Sequence, residues 1–271
     1  MELIGITHRL AVMNLMLHGI DTGVTLGDTL GPDGADLGKA DVILTNPPFN
    51  KFPEQVARAD FSITASGRKG PLPFVEHVVR SLRPGGRAAM VVPDNVLFDD
   101  TTGRELRRWV MELCDLHTIL RLPTGIFYSQ GVKTNVLFLT RGQSDRANTK
   151  GVWVYDLRAN MPAFGKTHPL NREDFERFEA AFGDDPHGRS RRNDEGEEGR
   201  FRRFSREEIA GRNDNLDVSW LRDDSAAEDE LVEPEDIAAA IIGHLKAALN
   251  EVDAVSDELE GQETTSPEVA A

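Results

Sequence analysis

The sequence predicts an α/β fold with a mostly parallel, doubly wound sheet, on three observations. Short apolar, partly β-branched runs alternate with segments of helical period. Pro, Gly and Asp punctuate nearly every junction between them. One such run, Asp41 to Leu44, stops abruptly at Asn46-Pro47-Pro48, as a strand does when it leaves a sheet into a rigid turn.

Taken in order, Ile6 to Gly19 reads as an amphipathic helix with Leu10, Met13 and Leu17 on one face and Gly19 as its stop. Val24 to Asp28 is expected as a strand, and Gly31 to Gly38 as a loop. After the Asp41 strand, Lys51 to Lys69 shows no clear period and is expected to be a long polar loop, a length at which loops often serve as functional lids. Phe74, Val75, Val78, Val79 and Leu82 mark a helix closed by Pro84-Gly85-Gly86, and Arg87 to Pro93 a buried strand. Thr102 to Cys114 is a further helix, with Thr101 or Thr102 as its cap and Glu105 three residues after Thr102. Leu116 to Leu122 and Asn135 to Thr140 are strands joined without an obvious helix, which predicts an antiparallel edge.

Val152 to Leu157 adds a strand and Arg172 to Phe182 a helix. Residues 183–204 read as a charged, mobile linker whose arginines could meet phosphate, although acidic residues interleave with them. Ser205 to Ile209 is a short capped helix, and Asn215 to Trp220 a short apolar segment. From Pro234 to Leu259 the spacing of Ile241, Leu245, Ala248, Val252, Val255 and Leu259 makes a heptad seam that needs a partner. The expected organisation is a catalytic domain over 1–182, the linker 183–204, a C-terminal helical interaction segment over 205–260 and a disordered tail over 261–271.

Composition narrows the function classes. A single cysteine, Cys114, excludes a disulfide framework and a cysteine-rich metal site, and no metal is expected. No apolar run has the length of a membrane span, so no membrane association is expected, and a cytoplasmic protein fits best. The net charge of −15 sits almost entirely in residues 223–271, which hold 15 acidic residues against one lysine. The nearly neutral remainder leaves nucleic-acid binding open.

Chemistry concentrates at Asn46-Pro47-Pro48-Phe49. The two prolines donate no N–H, so the carbonyls of Asn46 and Pro47 stay available as acceptors beside the Asn46 amide oxygen. With Phe49 as an aromatic face, this set suits a planar molecule held by an exocyclic NH2, at the carboxyl edge where α/β sheets bind ligands. Two acceptors on one amine draw its lone pair out of the ring π system and make the nitrogen nucleophilic. Asn-Pro-Pro is also an ordinary turn, and the tetrapeptide alone does not separate the two readings.

Asn46-Pro47-Pro48-Phe49 after an apolar strand resembles the catalytic motif of amino-group DNA methyltransferases. Met13-Asn14-Leu15, Leu17-His18-Gly19-Ile20, Gly27-Asp28-Thr29-Leu30, Leu122-Pro123-Thr124-Gly125-Ile126-Phe127, Gly131 to Phe138 and Asn215 to Trp220 together resemble the modification subunit of type I restriction-modification systems, in that family's order. The resemblance implies an incomplete Rossmann-like methyltransferase sheet with a C-terminal helical extension. It implies S-adenosylmethionine as methyl donor and the exocyclic amine of adenine in DNA as acceptor. Asn46 and Pro47 would hold the amine, Pro48 would stiffen the turn and Phe49 would stack on a base taken out of the duplex. Asp28 would accept from the cofactor's adenine, Glu2 would hold its ribose hydroxyls, and Asn46 borders the same cofactor.

In that family a helical domain and a Gly-rich loop precede the position of Glu2, and this sequence shows neither. The expectation is therefore a C-terminal portion of such a subunit, with strand edges left unpaired. The implied partners are DNA, a specificity subunit, a restriction subunit and a separate N-terminal methyltransferase fragment. Two other readings stand beside this one: a catalytically inactive remnant acting only as an interaction module for a specificity subunit, and a methyltransferase acting on protein glutamine.

Overall fold

The apolar run around Asp41 forms β1 (Ala40–Thr45), and the chain then builds α2 (Pro71–Ser81), β2 (Leu82–Pro93), α3 (Asn95–Phe98), α4 (Thr102–Leu113), β3 (Cys114–Arg121), β4 (Thr134–Arg141), β5 (Gly151–Asp156), α5 (Glu176–Phe182), β6 (Phe201–Ser205) and α6 (Arg206–Gly211), after an N-terminal α1 (Gly5–Leu17). These elements come from a computed structural model that describes residues 1–50, 52–127, 132–162, 164–165 and 168–222. The Pro234 helix and the 261–271 tail lie outside the described residues.

One six-stranded sheet runs in the order β1-β2-β4-β3-β5-β6. β1 is parallel to β2 and β3 is parallel to β5, whereas β4 is antiparallel to both β2 and β3. The fold is thus the expected α/β Rossmann-like class; of the two strands expected to make an antiparallel edge, β4 runs antiparallel inside the sheet, and the antiparallel edge strand is β6, paired with β5. Alternation along the strands gives each face its own core. Ile119, Leu137, Leu139, Val152 and Val154 point to the face covered by α2, α4 and α6. Leu120, Phe138, Trp153 and Tyr155 point to the other, where Phe178, Phe182 and Phe201 pack.

Several local expectations are corrected. Val24 to Asp28 forms no strand of the sheet; a single parallel bridge joins Glu2 to Leu26. The loop 31–38 contains a 3-10 turn, Pro32–Leu37. Pro84-Gly85-Gly86 does not close α2 but belongs to β2, where the register to β1 shifts between Ala40 and Val42. α4 is capped by neither threonine side chain; Asp99 Oδ1 accepts from Gly103 N–H at 3.0 Å. α3, too short for a periodic signal, was not foreseen.

Residues 183–204 are not a free linker. Arg192 stacks over the Phe182 ring and donates to Phe182 O and Thr118 Oγ1. Residues 201–205 pair with β5 as β6. α6 matches its expected start, with Ser205 and Glu208 forming a reciprocal capping box. Leu216 and Val218 are buried, held by Leu216 N–H on Leu97 O and by Arg121 on Val218 O.

Two apolar surfaces remain bare among the described residues. α1 buries no residue, and Leu10, Met13 and Leu17, expected as its packed face, are all exposed. β1 is the outer strand of the sheet, with Val42 and Leu44 exposed to 44% and 78%. No helix among the described residues is long and apolar enough to cross a membrane.

Candidate functional site

β1 ends at Thr45, opposite Met90 in β2, so Asn46 to Phe49 leave the sheet at the carboxyl end of β1. Pro47 is buried and anchors the turn, while Asn46 and Pro48 are exposed. Among the described residues nothing is bonded to the Asn46 side chain, so its amide oxygen is free to accept. Phe49 is half-buried and meets Phe127 edge to face, with ring centroids 5.5 Å apart and planes at 85°. Sequence reasoning missed Phe127 as a site residue, although its Leu122 to Phe127 stretch carried part of the resemblance. Two residues before Phe127, Gly125 lets the Phe164 backbone approach closely: its φ is +81°, and a Cβ there would lie 2.2 Å from the Phe164 carbonyl oxygen.

The neighbouring strand ends are locked together by one side chain. Arg158 donates from Nη1 and Nη2 to both oxygens of Asp94 at 2.9 Å, from Nε to Leu122 O at 3.0 Å and from Nη2 to Thr134 O at 2.9 Å. Asn135 adds a bond from Nδ2 to Asp94 Oδ1 at 2.7 Å. Burial raises the Asp94 pKa, but the Arg158 hydrogen bonds and charge outweigh it and hold the carboxyl below its ordinary value. The ends of β2, β3, β4 and β5 are therefore fixed beside the Asn-Pro-Pro-Phe turn.

The two carboxylates expected at a cofactor lie on adjacent short segments. Glu2 N–H donates to Thr25 O and Gly27 N–H to Glu2 O, which sets Glu2 beside the turn that carries Asp28. Glu2 Oε1 accepts from Ile4 N–H at 2.9 Å. Asp28 Oδ1 accepts from Leu30 N–H at 2.9 Å, and Oδ2 from Lys69 Nζ at 2.5 Å. Paired carboxylates at neighbouring segment ends fit a ligand that offers hydroxyls and an exocyclic amine. A polar cleft lined by Gly85, Asp115, His187 and Arg189 opens at the other end of the sheet, where β2 begins, and plays no part in this site.

Residues 1–230 match the family described as N-6 DNA methylase. The chain belongs to that family. It is 45% identical over 296 residues to the type I restriction enzyme StySJI methylase subunit of Salmonella typhimurium, an alignment covering 96% of this chain and 55% of that protein. It is 45% identical over 295 residues to the EcoKI methylase subunit of Escherichia coli, with the same coverage of 96% and 55%. The crystal structure of the EcoKI M protein superposes with a TM-score of 0.76 at 42% identity, covering 99% of this chain and 60% of the other. The chain thus spans about half the length of the curated relatives it matches.

Lys69 and Arg158 had no signal in the sequence, because their partners Asp28 and Asp94 lie far away along the chain.

Proposed function

We propose that this chain transfers a methyl group from S-adenosylmethionine to the exocyclic amine of adenine in DNA, as part of a type I restriction-modification assembly in the cytoplasm. The observation that carries the reading is Asn46-Pro47-Pro48-Phe49 at the carboxyl end of β1, with Phe127 against Phe49, in a chain of the N-6 DNA methylase family. Asp28 would accept from the cofactor's adenine amine and Glu2 from its ribose hydroxyls. When bound, that cofactor supplies a methyl group on a sulfonium. Asn46 Oδ1 and the Pro47 carbonyl would accept the two N–H groups of the target amine, drawing its lone pair out of the ring π system and holding the nitrogen in one orientation. Phe49 stacks on the base once it has left the duplex, and Phe127 braces the Phe49 ring. Asn46 is exposed, so the proton released after attack passes to water.

The bare edge of β1 and the unburied apolar residues of α1 support a second part of the reading: another polypeptide segment covers them and completes the cofactor side. A separate N-terminal methyltransferase fragment would do so, and specificity and restriction subunits would complete the assembly on DNA. Residues 1–182 would then serve catalysis, with the 205–260 region contributing contacts to the specificity subunit.

The test is Asn46→Ala in a complex reconstituted with its partner subunits, measured by transfer of labelled methyl groups to genomic DNA lacking adenine methylation. Transfer falls to background while the mass of the complex is unchanged. Wild-type transfer by the variant would overturn the site.

A further inference from the structure

The segment that follows the Asn-Pro-Pro-Phe turn folds back onto the turn carrying Asp28. Its ends form a short antiparallel ladder: Phe52 N–H donates to Lys69 O at 2.9 Å, Lys69 N–H to Glu54 O at 2.9 Å and Val56 N–H to Gly67 O at 3.0 Å. From this ladder and its tip, three consecutive residues are gripped. Lys69 Nζ holds the Asp28 carboxylate at 2.5 Å, Arg58 Nη1 holds Thr29 O at 2.8 Å, and Ala57 N–H holds Leu30 O at 3.0 Å. Leu30 is buried with Val56 and Phe61 in a small core of its own.

Arg58 is the hub and is only 5% exposed. It donates to both oxygens of Asp60 at 2.8 Å, lies 4.5 Å over the Phe61 ring and meets His77 Nδ1 on α2 at 3.0 Å. A guanidinium only donates, so His77 Nδ1 accepts and the ring is neutral. The site is closed behind by backbone: a Cβ at Gly34 would lie 1.9 Å from Thr29 O and 2.7 Å from Arg58 Nη1.

We propose that residues 52–69 are a bracket that presets the Asp28 carboxylate for its ligand's amine, with Arg58 and Lys69 as positioning residues. This rests on the reading of Asp28 as the cofactor-facing carboxylate. Asp28 Oδ1 is fixed by Leu30 N–H and Oδ2 by Lys69, which sets the plane of the carboxylate from both sides. Each oxygen keeps a second lone pair for a donor. A carboxylate fixed in advance costs the ligand no side-chain ordering when it binds. The bracket starts three residues beyond Phe49, so the same segment joins the base-facing turn to the cofactor-facing turn. A long lid was expected here; the ladder, the small core and the Arg58 hub describe a fixed element instead.

The test uses the full chain and its Lys69→Met, Arg58→Lys and Asp28→Asn variants. Hydrogen exchange at the Leu30 and Gly31 amides accelerates about tenfold in Lys69→Met and Arg58→Lys if the bracket holds that turn. Titration calorimetry with S-adenosylmethionine finds Lys69→Met about fivefold weaker than wild type at low salt, a gap that closes toward about 500 mM salt as the ion pair is screened. A merely structural lysine would give a gap independent of salt. Unchanged exchange in both bracket variants overturns the proposal even where the chain alone takes up no cofactor. Weakened binding in Asp28→Asn with wild-type binding in Lys69→Met also overturns it while retaining Asp28. Wild-type binding in Asp28→Asn instead removes the reading of Asp28 on which the bracket rests. Should Arg58→Lys fail to fold, Lys69→Met alone decides.

Discussion

Glu76 on α2 is fully buried and anchors the tip of the bracket, so Glu76→Gln is a sharp test of how that segment is held. Oε1 accepts from Ser62 N–H at 2.9 Å and from Arg80 Nε at 2.9 Å; Oε2 accepts from Thr64 N–H and Thr64 Oγ1, both at 2.8 Å. An amide keeps one acceptor oxygen and turns an NH2 toward donors on the other side. Two charge-assisted bonds are lost and a donor faces donors, at a cost of about 2–4 kcal/mol. With an m-value of about 2 kcal/mol/M, the urea midpoint falls by about 1–2 M, read by far-UV circular dichroism at pH 7. A shift below about 0.3 M, well under that worked range, would refute the assigned role. The pH dependence adds a second check. Burial raises the Glu76 pKa, but the bonds from Ser62, Thr64 and Arg80 together bring it below the ordinary 4.5. A depressed carboxyl contributes fully above its unfolded pKa and loses that contribution as pH falls through the folded value. The gap between wild type and variant therefore persists down to about pH 5 and narrows in more acid solution.

Two further outcomes are expected. His77 has its pKa lowered to about 4, by burial first and then by the Arg58 charge, and burial first, then Arg192, lowers His117 to about 3. Their ring-proton NMR shifts stay flat from neutral pH to about pH 5, and the fold loses stability as pH drops below the unfolded histidine value of 6.5; midpoints near 6.5 would refute both environments. Leu44→Lys on the bare β1 edge lowers self-association of the isolated chain, seen by light scattering as a smaller apparent mass, because a charge on an edge strand opposes pairing with another strand; an unchanged mass in a wild type that self-associates would refute β1 as the adhesive edge.

What could be read from the sequence was local. β1, β2, β3 and β5 are short apolar runs, α2 and α4 carry a helical period, and the Ser205–Glu208 capping box is contiguous, so each announced itself. The Asn46 to Phe49 turn was legible for the same reason. Pairing was not: β4 follows β3 in sequence yet inserts between β3 and β2, a choice made by non-local register. β6 was hidden because Arg202 and Arg203 interrupt Phe201 and Phe204, and only the stacking of Phe201 on Trp153 and the β5 ladder select a strand there. Phe127, Lys69 and Arg158 stayed invisible because their roles exist only once Phe49, Asp28 and Asp94 have been brought beside them. α1 misled in the opposite direction, with an apolar face that nothing among the described residues covers.

The two sides of the Asn-Pro-Pro-Phe turn differ in how completely the chain builds them. On the β2 side, the Arg158 guanidinium spends its donors on Asp94, Leu122 O and Thr134 O, and nearby Arg121 bonds Asp156 at 2.9 Å and Val218 O at 2.9 Å. Directed hydrogen bonds of this kind fix strand ends closely, which would suit the proposed slot for a base held in one orientation. On the other side, the outer edge of β1 has no neighbouring strand among the described residues, Leu44 is exposed and the Glu2–Leu26 bridge stands apart from the sheet. There Asp28 is held by the bracket's Lys69 together with Leu30 N–H. A free carboxylate on an uncovered turn would sample several rotamers, so the ion pair with Lys69 and the Arg58 hub matter most where the sheet supports least. On the reading proposed above, a segment covering β1 would meet an Asp28 carboxylate already held by Leu30 N–H and Lys69 Nζ and would adapt to it rather than position it.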